Sequence, residues 1–64
     1  MSKGIIALLN GFSTYKYDKI HRKIVNLKQA QETNIDEFLA IQHVLDNHRV
    51  PYRFERNFQI QLLD

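Results

Sequence analysis

The residues that could do chemistry are few and scattered. Of the three histidines, His43 stands three positions before Asp46 and could share a helical face with it. His48 lies about 140° further round a helix, and no other histidine or carboxylate falls at a metal-ligand spacing. These side chains are expected to be solvated, with His48 where the negative end of a helix favours its charge. No serine stands beside a plausible base, cysteine is absent, and Gly4 and Gly11 alone cannot build a phosphate-cradling loop. The chain is therefore expected to be no enzyme, to hold no metal or cofactor, and to take no small-molecule substrate.

The cations offer more. Lys16, Lys19, Arg22 and Lys23, with Tyr15 near one end, could be set against a phosphate backbone, and Arg49, Arg53 and Arg56 could add a second group. The charge is uneven: residues 1–30 carry a balance of +5, residues 31–48 of −4 and residues 49–64 of +1, within a net charge of +2. A basic and an acidic segment lying side by side produce the same pattern with no ligand, each exposed pair contributing little.

The clearest element available to position these groups is a helix over Asn34 to His48. Ile35, Phe38, Ile41, Val44 and Leu45 spread over about half its circumference, wider than the ~100° stripe of an ordinary surface helix, so cover on two sides is expected. Asn34 with Glu37 three residues on forms a capping box, the Asn side chain accepting the Glu37 N–H and the Glu carboxylate returning to the Asn34 N–H. Pro51 ends the segment, since it cannot donate a backbone hydrogen bond and pushes Val50 to an extended conformation.

Beyond it the period changes to two. Val50, Tyr52, Phe54, Phe58, Ile60 and Leu62 fall on even positions, and Arg53, Glu55, Asn57, Gln59 and Gln61 on odd ones, the mark of a strand with one buried face. Unbroken, that strand would run ~45 Å at about 3.3 Å per residue, too long for a domain with a radius of gyration near ~11 Å. It therefore bends or leaves the protomer. In a hairpin, a three-residue loop Glu55-Arg56-Asn57 pairs Phe54 with Phe58 and Tyr52 with Ile60, and sets Asn57 where a left-handed residue is wanted. The alternative is a strand exchanged with a second subunit.

A second helix is expected from about Asp18 to Glu32. Ile20, Ile24 and Leu27 lie on one face, Asp18 is the N-cap, and Lys16, Lys19, Arg22 and Lys23 form a basic arc beside the apolar stripe. Residues 4–17 fit two templates. Ile5, Leu8, Leu9 and Phe12 have helical spacing, with Asn10-Gly11 as the stop; alternatively Asn10-Gly11 is a type I′ turn joining strands 5–9 and 12–17. The strand reading is preferred, because Gly4 and paired isoleucines start a short helix poorly.

The expected fold is thus α+β, one domain over residues 1–64, with an antiparallel helical hairpin (about 18–32 and 34–48) on a small antiparallel sheet from the N-terminal and C-terminal segments. Lack of cysteine points to a reducing, cytoplasmic compartment, and the five apolar residues Ile5 to Leu9 are too few for a membrane span. A chain this short has a marginal core and gains from a partner. The reading for function is a small regulator acting by protein–protein binding, as a homodimer and with another protein, through Phe38, Ile41, Val44, Leu45, Tyr52, Phe54, Phe58, Ile60 and Leu62. The alternative is nucleic-acid binding. A helical pair followed by an arginine-tipped hairpin resembles a winged helix in layout, with Asn34 to His48 as the recognition helix, although that helix is acidic and would repel phosphates.

Overall fold

A computed structural model describes residues 3–63, with side chains from Gly4 onward. Helix α1 (Lys3–Leu9) precedes a hairpin of β1 (Tyr15–Asp18) and β2 (Lys23–Asn26). A 3₁₀ turn (Ala30–Glu32) leads into α2 (Ile35–Asn47), and a second hairpin of β3 (Tyr52–Glu55) and β4 (Gln59–Leu62) follows. The strands form one antiparallel sheet in the order β1-β2-β4-β3, so the inner strands β2 and β4 join the two hairpins. The chain is an α+β protein with a Cα radius of gyration of 10.6 Å.

One face of the sheet builds the core. Register places Tyr17 beside Ile24, Ile24 beside Ile60 and Ile60 beside Phe54, with Tyr15 opposite Asn26 and Tyr52 opposite Leu62. Ile5 and Leu9 of α1 and Ile41 and Leu45 of α2 are buried with Tyr15, Ile24, Val50, Ile60 and Leu62. Alternate residues Lys16, Asp18, Lys23, Val25, Arg53, Glu55, Gln59 and Gln61 occupy the outer face, as period two requires.

Helix α2 has the expected span and a partly different cap. Asn34 Oδ1 accepts the Glu37 N–H at 3.2 Å. The Glu37 carboxylate does not return to the Asn34 N–H; it takes Ser13 Oγ at 2.7 Å, Thr14 N–H at 3.0 Å and Thr14 Oγ1 at 2.9 Å, bracing the start of α2 to the entry of β1. Those bonds, the Thr14 N–H first, hold its carboxyl below the usual range. The helix ends in a Schellman motif: Arg49 at φ 56° donates to Asp46 C=O, Val50 donates to Leu45 C=O at 2.9 Å, and the Leu45 and Val50 side chains are both buried. Its apolar face is only partly covered. Ile41 and Leu45 are buried and Phe38 and Val44 half-buried, while Ile35 and Leu39 face water. The sheet lies on one side and α1 touches the helix beside it.

Four expectations are corrected. Residues 18–32 are not a helix, so there is no helical hairpin, no winged-helix layout and no basic helical arc. The helical spacing of Ile20, Ile24 and Leu27 is not used: Ile20 is 81% exposed and Leu27 is also exposed, whereas Ile24 and Asn26 alternate inward on β2. Asp18 caps, but it caps a turn, its Oδ1 accepting the N–H of Ile20 at 3.0 Å and of His21 at 3.3 Å. Residues 3–9 are a helix rather than a strand, because Ile5 and Leu9, one turn apart, both reach the core. Asn10 N–H to Ile6 C=O and Gly11 N–H to Leu8 C=O close it, and a Cβ on Gly11 would sit 3.3 Å from the Leu8 oxygen.

The second hairpin pairs β3 with β4 of the same chain, and its loop has three residues. They are Arg56-Asn57-Phe58 rather than Glu55-Arg56-Asn57, and Phe54 pairs with Ile60 and Tyr52 with Leu62. The shift of two keeps every side chain on its expected face. It also takes Phe58 out of the ladder.

Because Leu45 is fully buried and Ile35 is 46% exposed, Leu45→Ala is expected to cost about 2–5 kcal/mol and Ile35→Ala less than about 1 kcal/mol in denaturant unfolding. Equal costs would mean that α2 is seated on a different face.

Candidate protein-binding surface

The loop that closes the second hairpin is pinned from inside. Asn57 (φ 60°, ψ 35°) and Phe58 (φ 55°) are both left-handed, a conformation Asn tolerates and Phe resists. Two buried side chains hold it there. Tyr15 Oη donates to Phe58 C=O at 2.8 Å, and Asn26 Nδ2 donates to Asn57 C=O at 3.1 Å. Asn26 also donates to Thr33 Oγ1 at 2.8 Å and accepts the Lys28 N–H at 3.1 Å, and Asn57 Nδ2 donates to Lys28 C=O at 3.2 Å. Burial, with the Glu37 charge as a second cause, pushes the Tyr15 hydroxyl up to about 12, so it stays a donor.

Held this way, Phe58 turns towards α2. Its ring meets Phe38 edge-on at 5.3 Å, Phe38 meets Phe54 of β3 at 5.3 Å, and Tyr15 lies beneath Phe38 at 6.4 Å. Tyr52 continues the cluster at 5.5 Å from Phe54, its hydroxyl tied to Asp46 at 2.9 Å. The cluster is not closed over: Phe54 is 52% and Phe58 37% exposed. Between them lies a shallow open hollow of about 420 Å³ lined by Phe38, Phe54, Glu55, Asn57 and Phe58. Such a surface can bury apolar area against a partner, and Glu55 and Asn57 supply polar groups at its rim.

The residues read as an interface therefore divide. Ile41, Leu45, Ile60 and Leu62 are in the core, Val44 and Tyr52 are half-buried, and Phe38, Phe54 and Phe58 converge on the surface. The cations are dispersed. Lys16, Lys23 and Arg53 stand on the outer sheet face, Lys19 and Arg22 in the β1–β2 turn, Arg49 at the exit of α2 and Arg56 in the β3–β4 loop. Glu55 lies 3.6 Å from Lys23 and 3.5 Å from Arg53. A second hollow, about 410 Å³, lies on the first hairpin against Lys16, Tyr17, Asp18, Lys19 and Ile20, with Val25 and Leu27.

Among the described residues no three His, Asp or Glu side chains come together as metal ligands, and no helix is long and apolar enough to cross a membrane. His43 and His48 are exposed, as is His21, whose Nδ1 lies 2.8 Å from Oδ2 of half-buried Asp18. The sequence pattern placed Tyr15 only at one end of the basic group and did not foresee that Tyr15 and Asn26 are the two side chains that hold the loop. The usable signal was Asn26 itself, a residue that strands disfavour, standing between Val25 and Leu27. No protein-family model, no curated protein and no solved structure matches the chain.

Tyr15→Phe removes the hydroxyl that satisfies the Phe58 carbonyl and is expected to cost about 1–3 kcal/mol at neutral pH. The sign of the pH effect also follows. A hydroxyl whose pKa is raised in the folded protein, from 10.0 to about 12, contributes stability that is present below 10 and is lost as pH rises through the folded value. Wild-type unfolding curves between pH 9 and 12 should show this loss, and Tyr15→Phe should show a smaller one, the remainder coming from Tyr52, whose hydroxyl burial and then Asp46 also push up.

Proposed function

We propose that the protein is a small non-enzymatic binding protein that acts in the cytoplasm by contact with other proteins through the Phe38, Phe54 and Phe58 surface. The observation that carries this reading is Phe58. A phenylalanine in left-handed backbone is unfavourable, and buried Tyr15 and Asn26 spend hydrogen bonds on holding its loop, yet its ring ends beside water and not in the core. Aromatic side chains presented on a rigid frame bury large area with little loss of rotamer freedom, which is why they anchor protein interfaces.

Phe58→Glu is expected to leave the fold intact while abolishing retention of a partner from native-host extract. Recombinant partner titrated into labelled protein should then shift the amides of residues 38, 54 and 58. Retention that survives Phe58→Glu, or shifts confined to the outer sheet face, would overturn the reading.

A second reading, contact with nucleic-acid phosphates, draws its support from Lys16, Lys23 and Arg53 on one open sheet face. It is weakened by Glu55 between two of those cations, while Tyr17, beside Lys16 and Lys19 in the hollow on the first hairpin, is the aromatic at hand for base stacking. If it is right, the protein retards duplex DNA at low salt, with affinity falling steeply as salt is added and lost in a variant with Lys19, Arg22 and Lys23 all changed to Glu. No retardation at low salt removes it.

A further inference from the structure

The two outer strands carry the same order of residue types: Tyr15-Lys16-Tyr17-Asp18 on β1 and Tyr52-Arg53-Phe54-Glu55 on β3, aromatic, cation, aromatic, acid. Each leaves one edge of the sheet unpaired. An open edge is a template for another strand unless something guards it. On β1 the acid is committed, since Asp18 accepts two turn N–H groups and the His21 ring, and α1 packs against the strand. On β3 Glu55 accepts no turn N–H among the described residues but lies 3.6 Å from Lys23 and 3.5 Å from Arg53 on the outer face, and the backbone edge of the strand is open.

The hydrogen-bond phase of β3 follows from one bond. Leu63 N–H donates to Pro51 C=O at 2.9 Å. Antiparallel pairs alternate between hydrogen-bonded and non-hydrogen-bonded, so Arg53 and Glu55 direct their backbone groups to β4, whereas Tyr52 and Phe54 direct theirs outward. Among the described residues none bonds those outward groups.

We propose that two copies of this chain join edge to edge through β3, antiparallel, in the register centred on Phe54. This rests on reading the aromatic surface as a protein contact, and it names the partner as a second copy. In that register Phe54 faces the partner's Phe54, and the two exchange the outward N–H and C=O groups as a hydrogen-bonded pair. On either side Arg53 meets the partner's Glu55 and Glu55 the partner's Arg53. These are the non-hydrogen-bonded positions, where side chains stand closest and opposite charges attract.

The competing registers are poorer on charge, on face or in ion pairing: centring on Tyr52 sets Arg53 opposite the partner's Pro51 and forms neither Arg53–Glu55 pair. Centring on Arg53 or on Glu55 sets like charges directly opposite each other. A shift of one residue turns the aromatic face of one copy to the outer face of the other. In the Phe54 register the two aromatic clusters become continuous across a two-fold axis and cover the exposed half of Phe54. Each four-stranded sheet becomes half of an eight-stranded one. Glu55 keeps Lys23 of its own chain as a neighbour while Arg53 turns to the partner.

The test is sedimentation equilibrium of the full chain at millimolar concentration, where a dimer has twice the 7.6 kDa mass. Arg53→Glu puts like charges at both flanking pairs and is expected to weaken the dimer about tenfold or more, and adding Glu55→Arg to the same chain is expected to restore it. Independently, a mixture of Arg53→Cys and Glu55→Cys chains should form the mixed disulfide in preference to either symmetric one. A chain that remains monomeric at millimolar concentration, a dimer indifferent to Arg53→Glu, or growth beyond a dimer would each overturn the proposal. If monomer mass is found while Phe58-dependent capture of another protein persists, self-pairing alone has failed. If that capture is lost as well, the underlying reading goes with it.

Discussion

The pairing of β2 with β4 is the constraint on which the rest of this structure depends. The other two ladders are local hairpins, each closed by a few residues, and an isolated hairpin has little stability in water. Setting Ile24 beside Ile60 joins them across the middle of the sheet and creates a continuous apolar face wide enough for α1 and α2. Closing so distant a contact carries an entropic cost that only burial can offset. Several bonds reinforce the junction. Leu62 N–H donates to Arg22 C=O, and Gln61 Nε2 reaches the His21 and Arg22 carbonyls, so the turn of the first hairpin is tied to the end of the second.

The same junction makes the aromatic surface. With β2 beside β4, Asn26 comes within reach of the Asn57 carbonyl and Tyr15 within reach of the Phe58 carbonyl. The two buried donors then hold a loop whose backbone its own residues would not choose. Phe58 leaves the strand ladder and joins Phe38 and Phe54 at the end of the sheet. Rigidity and exposure, which usually exclude each other, coexist here because the fixing bonds are below the surface and the ring is above it.

Much of the architecture was legible in the chain. Asn34 as N-cap, the extent of α2, the period-two alternation of residues 52–62 and the left-handed Asn57 are local facts, set by side-chain chemistry and spacing. The failures share one cause. Over residues 18–28 the apolar positions fit a helical stripe as well as a strand, and Asp18 caps a helix and a turn by the same bonds. What decides between them is whether Ile24 finds Ile60, a contact outside any local window. At the N-terminus the two templates were again nearly equal, and the core chose the helix because α1 can bring Ile5 and Leu9 to it together.

The sequence by itself determined the α+β class, the central helix with its cap, and which residues of the C-terminal segment share a face. These follow from residue type and from periods of 3.6 and 2, which act over a few neighbours. Only the tertiary structure decided that the basic segment is a hairpin, that the cations are spread over a face and its turns, and that Glu37 braces β1 instead of closing its own box. It alone decided which phenylalanines remain at the surface. The physical reason is that each of these outcomes is a competition between a local partner and a distant one, and the distant one exists only once β2 has met β4.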